Sequence, residues 1–171
     1  MIEVQVQTLI VSSAPTPCVL VLRPVDDEAS AETDDHVSTR IIPIWVGVNE
    51  ATQLGVALEK AKFARPTTHD LMLDAVTSLG ATVEHVLIND ARGQTFFAKL
   101  TLDRFGEMIE LDARPSDAIA LAIRQEAPVY VTEEVLDRAS FPFVFRKKAS
   151  VEQELEEFKG FLETLEPEDF A

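Results

Sequence analysis

The sequence predicts an α+β domain in which helices pack on a mainly antiparallel β-sheet. Residues 2–11 alternate between apolar and polar side chains, which is the pattern of a half-buried strand. After residue 49 the apolar side chains switch to helical spacing, and residues 82–112 return to strands separated by short turns. Short turns join antiparallel strands, whereas parallel strands need a long crossover. A length of 171 residues fits one domain.

The first half of the chain is expected to form three strands and then a helix. The strands are predicted at residues 2–11, 18–23 and 41–46. Pro43 places the third strand at a sheet edge or a bulge, because proline cannot donate a ladder hydrogen bond. The only cysteine, Cys18, lies in an apolar strand, so we expect a buried thiol. Asn49 is expected to cap a helix over residues 50–60.

Two further helices follow, separated by three strands. The second helix is predicted over Thr67–Leu79, with its inward face formed by Leu71, Met72, Ala75, Val76 and Leu79. Strands are then expected at 82–91, 95–103 and 107–112. The third helix should run from Arg114 to about Gln125, and it is apolar nearly all round, which predicts a central and buried position. A short strand at 129–131 and a short helix at 133–139 complete this part.

The end of the chain is predicted to be an amphipathic helix over residues 149–171, packing on the domain formed by residues 1–148 or on a partner subunit. Its apolar residues are spaced alternately four and three apart, at Val151, Leu155, Phe158, Leu162 and Leu165. Such a stripe must be buried against something, and we therefore expect a homodimer or a higher homo-oligomer as one of the two packing arrangements.

The acidic charge is concentrated in two stretches. The net charge of −15 argues at first against a nucleic-acid binder, whose affinity rests on neutralising phosphates. However, residues 26–35 hold six acids and residues 150–171 hold eight acids and one lysine. Without these stretches 16 acids face 14 bases, a net charge of −2. Residues 26–38 lack periodicity and are expected to form a mobile loop inserted between two strands, whose charge would repel a polyanion nearby.

The chain contains no apolar run of the ~20 residues that a membrane span needs, and no basic segment followed by a long apolar one. We therefore expect a cytoplasmic protein that does not contact the membrane.

Three acids, Glu50, Asp70 and Asp117, each fall in the first turn of a predicted helix. A structural explanation is that each carboxylate stabilises the positive end of its helix, by about 0.3–1 kcal/mol. Thr67 and Asp70 also fit a capping box, in which the two side chains satisfy the first backbone N–H groups of a helix. A functional explanation is that the helix starts converge. Carboxylate oxygens with one imidazole, that of His69, suit Mg²⁺ or Mn²⁺.

Two arginines lie beside these acids, and an arginine can bind a phosphate through parallel hydrogen bonds. Arg65 and Arg114 are therefore candidate phosphate-binding residues. The candidate catalytic residues are His69, Asp70, Asp117 and Glu50, and the candidate metal ligands are Glu50, Asp70 and Asp117. Together these are the residue types of a phosphodiesterase.

Three motifs in the chain resemble the bifunctional nuclease family, also called the DNase–RNase domain. They are Pro43-Ile44-Trp45-Val46-Gly47 followed by Glu50-Ala51, Arg65-Pro66-Thr67-Thr68-His69-Asp70-Leu71, and Asp112-Ala113-Arg114-Pro115-Ser116-Asp117-Ala118. The likeness runs in order over roughly residues 2–135, and the final Pro167-Glu168-Asp169-Phe170 is also similar. The resemblance implies a compact α+β domain of bacteria and plants, often self-associating, with nuclease activity on DNA and RNA.

Three functional hypotheses follow. The first is a metal-dependent nuclease without sequence specificity, whose partners are DNA and RNA. The alternative is a non-catalytic oligomeric binding or regulatory module, in which the same residues lock the helix starts. A third is a small-ligand or nucleotide sensor whose arginines bind a phosphate.

Overall fold

The computed structural model describes residues 1–12, 17–26 and 36–146, together with residues 156, 157, 160, 161 and 164. The described strands are β1 (Ile2–Ile10), β2 (Cys18–Pro24), β3 (His36–Val46), β4 (Ala81–Arg92), β5 (Thr95–Arg104), β6 (Glu107–Ala113), β7 (Val129–Val131) and β8 (Phe141–Arg146). The helices are α1 (Val48–Leu58), α2 (Thr68–Ser78), α3 (Pro115–Gln125) and α4 (Glu133–Ala139).

The strands form one eight-stranded sheet in the order β6-β5-β4-β7-β1-β2-β3-β8. Among the described strands only β4 and β7 pair in parallel, and the other neighbours are antiparallel. The hairpins from β4 to β6 form as the alternating pattern and short turns predict. The parallel pair is possible because α3 lies between β6 and β7 in the chain and packs on β4 and β5. The predicted α+β class is confirmed.

Strand β3 changes its neighbour half-way along its length. Its first half, from His36 to Ile41, pairs with β8, and its second half, from Ile42 to Val46, pairs with β2. Pro43 pairs with Val21 of β2 in a stretch that the β8 pairing does not reach. The sheet is therefore locally open on one side of Pro43. Because no strand pairs on that side, the N–H group that proline lacks costs no hydrogen bond between strands. The predicted edge position of Pro43 is confirmed.

The early part of β3 corrects one expectation. Residues 36–38 were expected in the acidic loop, but they form strand and pair with β8. Their strand character depends on pairing with residues about a hundred positions later in the chain, which local periodicity does not reveal. The remainder of the expected loop, residues 27–35, lies outside the described residues.

Strand β2 is buried on both faces, and this divides the apolar interior in two. Cys18, Leu20 and Leu22 point into the main core, which lies between the sheet and helices α1, α3 and α4. Val19 and Val21 point to the opposite face, into a smaller cluster with Ile10 and Ile41. The free thiol of Cys18 is fully buried, as predicted.

Helix α1 begins two residues earlier than Asn49 suggests. Gly47 is the N-cap, with extended backbone, and Asn49 lies inside the first turn, so the predicted cap is wrong. The carboxylate of Glu50 folds back over Gly47. Helix α3 agrees with its prediction, since Pro115 through Ala122 are all buried except Asp117.

Helix α2 forms where expected but does not bury the predicted face. Leu71 is 61 % exposed, and Met72 and Leu79 are also exposed. Of the predicted inward residues Val76 does contact the core, and Leu73, which was not predicted to point inward, contacts it as well. The helix lies at the margin of the domain, against α3 and β4, so it buries a narrow strip rather than a broad face.

The residues of the predicted tail seam, Val151, Leu155, Phe158, Leu162 and Leu165, lie outside the described residues. One described tail residue, Phe161, packs on the smaller apolar cluster. Its ring centroid lies 6.2 Å from that of Phe141 and 5.6 Å from that of Phe143. In the part of the chain that the structure describes, no helix is both long and apolar enough to cross a membrane.

Candidate active site at the helix starts

The three acids singled out from the sequence occupy equivalent positions. Glu50, Asp70 and Asp117 are each the third residue of their helix, in the first turn of α1, α2 and α3 respectively. At this position a side chain can reach back to the helix start or outwards to a neighbour. The three acids share their local setting but differ in what they contact.

Arg114 joins two of the helix starts. Its Nη1 donates to Glu50 Oε1 at 2.8 Å, and its Nε donates to Asp117 Oδ2 at 2.7 Å. On the other side of Asp117, Oδ1 lies 3.3 Å from His69 Nε2. Four side chains therefore form one connected network, namely Glu50 of α1, Arg114 at the N-cap of α3, Asp117 of α3 and His69 of α2. The predicted convergence of helix starts holds for these four residues.

Arg114 is held in its charged form, and some of its N–H groups remain available for a ligand. Asp117 and then Glu50, through hydrogen bonds and charge, raise the pKa of Arg114 above its already high ordinary value. Its side chain is 65 % exposed, and only Nε and Nη1 donate to the two carboxylates. The remaining N–H groups, including those of Nη2, face the solvent and can bind an anion.

An open pocket of about 380 Å³ surrounds this cluster. Its lining residues are Asn49, Glu50, Thr52, Gln53, Thr68, His69, Arg114 and Asp117. Among the described residues, Glu50 Oε2 accepts no hydrogen bond, while both oxygens of Asp117 are engaged. The pocket thus offers one partnerless carboxylate oxygen close to an arginine with free donors.

Two buried atoms of the pocket lack a partner within the described part of the chain, namely Gln53 Oε1 and His69 Nδ1. A buried polar atom without a hydrogen bond costs about 1–3 kcal/mol. A cluster built only to lock helix starts would be expected to satisfy such atoms, whereas functional sites often leave them open.

The hydrogen-bond network assigns the tautomer of His69. Nε2 faces a carboxylate oxygen, and Nδ1 is buried without an acceptor nearby. The proton is therefore placed on Nε2, which donates to Asp117, and Nδ1 keeps its lone pair. His69 consequently orients Asp117 through Nε2.

Asp70 belongs to a different cluster. Its Oδ2 accepts hydrogen bonds from the Thr67 backbone at 2.8 Å and from the Thr67 hydroxyl at 2.7 Å, which completes the predicted capping box. Its Oδ1 accepts from Arg124 Nε at 2.9 Å. The hydrogen bonds from Thr67, followed by Arg124, hold the pKa of Asp70 below its ordinary value. Asp70 lines a separate pocket on the other side of α2.

Arg65 is exposed, and within the described residues it forms no hydrogen bond or ion pair. Lys60, another cation in the segment before α2, forms an ion pair with Glu126 at 2.8 Å. Arg65 is therefore an available cation near the start of α2, but it is not part of the connected cluster.

The described residues contain no group of three or more His, Cys, Asp or Glu side chains arranged to hold a metal ion. The guanidinium of Arg114 lies between Glu50 and Asp117, and Asp70 faces Thr67 and Arg124. As arranged, the three carboxylates proposed as metal ligands do not fit one cation. Mg²⁺ or Mn²⁺ stays a prediction, and the steps proposed below use protein side chains alone.

The sequence model of the family described as "Bifunctional nuclease domain" matches residues 32–143, which is more than half of the chain. The chain belongs to the bifunctional nuclease domain family. The matched region contains every residue of the Arg114 cluster and all three motifs. The family assignment made from those motifs is therefore confirmed.

Relatives of this bifunctional nuclease domain occur in bacteria and plants. A protein of Mycobacterium tuberculosis, named only as uncharacterized, is 39 % identical over 136 residues, which is 77 % of this chain and 81 % of that protein. Bifunctional nuclease 2 of Oryza sativa subsp. japonica is 33 % identical over 122 residues, or 70 % of this chain and 34 % of the rice protein. Bifunctional nuclease 2 of Arabidopsis thaliana is 31 % identical over 96 residues, or 54 % of this chain and 29 % of that protein. The plant relatives are thus about three times longer than their matched regions.

Sequence reasoning missed one charged residue of this bifunctional nuclease domain. Arg124, the partner of Asp70, is the only charged residue in the last part of the apolar helix α3, and its side chain is 9 % exposed. A lone arginine in a buried helix is a signal for an internal ion pair.

Proposed function

We propose that this domain hydrolyses phosphodiester bonds of DNA and RNA at the Arg114 cluster, without sequence specificity. The observation that carries the proposal is the pairing of Arg114, whose outer N–H groups are free, with Glu50, whose Oε2 is free, in an open pocket. A phosphate and an attacking water are the two reactants that such a pair can hold side by side. We also place this activity in the cytoplasm, as the sequence predicts.

In the proposed step, the free N–H groups of Arg114 bind two oxygens of the scissile phosphate. Glu50 Oε2 accepts a proton from water, whose oxygen forms a new bond to phosphorus. The bond from phosphorus to the sugar oxygen breaks, and that oxygen takes a proton from the solvent. Arg114 stabilises the additional negative charge in the transition state, because its donors are already fixed in place.

Asp117 and His69 act as positioning residues in this scheme. Asp117 holds Nε of Arg114, and His69 holds the other oxygen of Asp117. Without Asp117, the guanidinium would be restrained only through Glu50 and would lose the orientation that bidentate phosphate binding requires. Arg65, which is free and exposed, is proposed as a further phosphate contact outside the cluster.

The first experiment measures cleavage of single-stranded DNA and RNA by purified protein. Glu50→Gln removes the proton acceptor and should lower kcat by about 10²–10⁴-fold. Arg114→Lys keeps the charge but loses the fork of donors, and should lower kcat by about 10²–10³-fold. The control is Arg104→Ala, an exposed arginine at the opposite end of the β5–β6 hairpin, about 20 Å along the strand. Equal activity in all three variants would refute the proposal.

The metal requirement is tested in the same assay. If Mg²⁺ or Mn²⁺ is required, dialysis against EDTA abolishes cleavage and either cation restores it. Cleavage that survives EDTA assigns the reaction to Glu50 and Arg114 alone.

The alternative function is a non-catalytic binding or regulatory module, and the ion pairs themselves favour it. The ion pairs among Glu50, Arg114, Asp117 and His69 join three helices, and a purely structural role would be to hold these helix starts together. Thermal melts separate the two proposals. A lock predicts that Asp117→Asn lowers the melting temperature by several degrees and changes no reaction. A catalytic cluster predicts a nearly unchanged melting temperature and a lower kcat.

A further inference from the structure

The segment that joins α1 to α2 carries a local positive charge. We refer to residues 59–66 as the α1–α2 loop, and all eight of them are exposed. The loop holds three bases against one acid, whereas the chain as a whole has a net charge of −15. These are Lys60, Lys62 and Arg65 against Glu59. The loop also holds Phe63, which is 58 % exposed. A local basic surface attracts polyanions even when the overall charge of the protein is negative.

Both ends of the α1–α2 loop are held by the domain. At its start, the backbone N–H of Ala61 donates to Val56 O at 3.1 Å, and Lys60 Nζ donates to Glu126 Oε1 at 2.8 Å. At its end, Thr67 belongs to the capping box of α2. A ligand that binds the loop therefore does not have to order its ends, which reduces the conformational entropy lost on binding.

The α1–α2 loop leads directly into the active-site pocket. Thr68 and His69, which follow the loop, line that pocket together with Arg114. A chain spans at most about 3.6 Å per residue, so the Cα of Arg65 lies within about 11 Å of that of Thr68, and the Cα of Phe63 within about 18 Å. A nucleic-acid strand whose phosphate is bound at Arg114 can therefore continue onto the loop.

Two cations of the loop are available to such a strand. Lys62 and Arg65 are exposed, and within the described residues neither forms a hydrogen bond or an ion pair. Phe63 lies between them in the chain. Cations that bind the backbone phosphates, combined with an aromatic side chain on which a base stacks, are what proteins use to bind single strands. The bases of a duplex are already stacked on one another, so the ring of Phe63 favours a single strand over a duplex.

We propose that the α1–α2 loop binds the single strand beyond the scissile phosphate, with one base stacked on Phe63 and the backbone phosphates bound by Lys62 and Arg65. This inference rests on the proposed function, because it places the scissile phosphate at Arg114. Every base has an aromatic face, so stacking on Phe63 accepts any base and agrees with cleavage that lacks sequence specificity.

The first experiment measures binding of a fluorescein-labelled thymidine oligonucleotide of about ten nucleotides by fluorescence anisotropy. The protein carries Glu50→Gln, so that the probe stays intact. Adding Phe63→Ala should raise the Kd by about tenfold, and Phe63→Leu should raise it equally, because leucine is apolar but has no aromatic face. Phe63→Tyr keeps the ring and should restore the Kd. All three variants should leave the melting temperature unchanged, since the side chain is exposed.

The salt dependence of the same Kd tests the two cations. Lys62→Gln and Arg65→Gln should each reduce the slope of log Kd against log salt concentration by about 0.7, the value for one phosphate contact on a single strand. The matched controls are Phe105→Ala and Arg104→Gln, an exposed phenylalanine and an exposed arginine at the far end of the β5–β6 hairpin. Both should bind as their parent does. A Kd that Phe63→Ala leaves unaltered, or that Phe105→Ala raises equally, overturns the proposal.

Cleavage by protein with an intact Glu50 separates this inference from the proposed function. Phe63→Ala should raise the KM for the oligonucleotide by about tenfold without changing kcat, because the ring does not touch the scissile phosphate. A KM that stays unaltered overturns the role of the loop and leaves the nuclease proposal intact. Binding that depends on Phe63, in a protein that cuts neither DNA nor RNA, overturns the nuclease proposal and supports the loop as a surface for single strands.

A membrane of anionic lipid is the other polyanionic surface that a basic loop with an exposed aromatic residue can bind. Sedimentation with vesicles of phosphatidylcholine and phosphatidylserine tests this partner. Vesicle binding that Phe63→Ala abolishes, together with an unchanged Kd for the oligonucleotide, overturns the proposal. Vesicle binding that is absent or independent of Phe63, together with the tenfold higher Kd, supports it.

Discussion

At the scale of single residues, the site depends on where the Glu50 carboxylate lies. Its Oε1 is held by Arg114, and its Oε2 folds back over the Cα of Gly47. A β-carbon at position 47 would collide with Oε2. Gly47 has an ordinary extended conformation with φ of −71°, so glycine is needed there for space and not for backbone freedom.

Gly47→Ala is therefore expected to displace Glu50 while preserving the fold. The obstructing atom is the end of a flexible side chain, so the backbone need not move. We predict a loss of cleavage similar to that of Glu50→Gln, with a change in melting temperature of about 2 °C or less. Cleavage assays and thermal melts on the same preparation provide the measurement.

The matched control is Gly55→Ala in the same helix, α1. A β-carbon at position 55 would make an ordinary contact with Leu9, 3.9 Å away. Alanine is the better helix former, by about 0.5–1 kcal/mol, so this variant should be at least as stable as the wild type and equally active. Equal activity in both glycine variants would show that the Glu50 position is not critical.

At the scale of elements, the acids at the third position of α1, α2 and α3 serve two different purposes. Glu50 and Asp117 turn towards Arg114, whereas Asp70 turns back to its own helix start and to Arg124 of α3. The Asp70–Arg124 pair joins α2 to α3, and the two residues that it aligns are His69 and Asp117. Asp70, a candidate catalytic residue from the sequence, is thus better explained as a positioning residue.

Asp70→Ala should destabilise the protein by about 1–3 kcal/mol, because it removes the carboxylate that accepts a hydrogen bond from Nε of the almost fully buried Arg124. Asp74→Ala is the control, since Asp74 lies on the same helix and its side chain forms no ion pair among the described residues. Urea unfolding of the two variants measures the difference. Equal midpoints would contradict the assigned role.

The same carboxylate predicts a dependence of stability on pH. The hydrogen bonds from Thr67, followed by Arg124, lower the folded-state pKa of Asp70 below the ordinary value of 3.8. Its stabilisation is therefore complete well above pH 3.8 and is lost as the pH falls through the folded-state pKa. The stability difference between wild type and Asp70→Asn should shrink as the pH falls below 3.8, which urea unfolding at a series of pH values measures.

At the scale of the whole molecule, the curvature of the sheet brings distant strands together. In the sheet order, β3 and β5 are separated by four strands, yet Trp45 of β3 and Phe96 of β5 line one pocket. Packing of α1 on α3 then places Glu50 against Arg114. The pocket that Trp45 and Phe96 line and the Arg114 cluster both depend on this curvature, and they should respond together to changes in the core beneath it.

Self-association is a prediction that belongs to this scale. Strand β6 lies at one end of the sheet and pairs only with β5 among the described strands, so one side of its backbone is open. Met108 on β6 is 55 % exposed, and Phe105 in the preceding turn is 87 % exposed. We expect a second copy to pair along β6, and Met108→Lys to shift the protein towards the monomer. Light scattering with size-exclusion chromatography measures the mass.

The control for this prediction is Val11→Lys, which changes an equally exposed apolar residue that follows β1 and lies outside β6. It should leave the mass unchanged. A monomeric wild-type protein, or an equal effect of both lysine variants, would contradict pairing through β6.

The sequence by itself determined the class of fold, most helices and strands, the capping box of α2 and the family. These depend on local patterns, such as the alternation in β1, the apolar run in α3 and the residues around Arg65 and Arg114. It also identified the candidate site residues, because residue type and position at a predicted helix start are enough to single out acids, arginines and a histidine.

Only the tertiary structure decided which of those residues meet. The local sequences around Asp70 and Asp117 are similar, since each is an acid in the first turn of a helix that follows or begins at an arginine–proline pair. The difference is the neighbour, Arg124 for the first and Arg114 with His69 for the second, and neighbours depend on how α2 and α3 pack. The pairing of β3 with β8 and the pocket between Trp45 and Phe96 likewise join residues about a hundred and about fifty positions apart, a separation that no local pattern reaches.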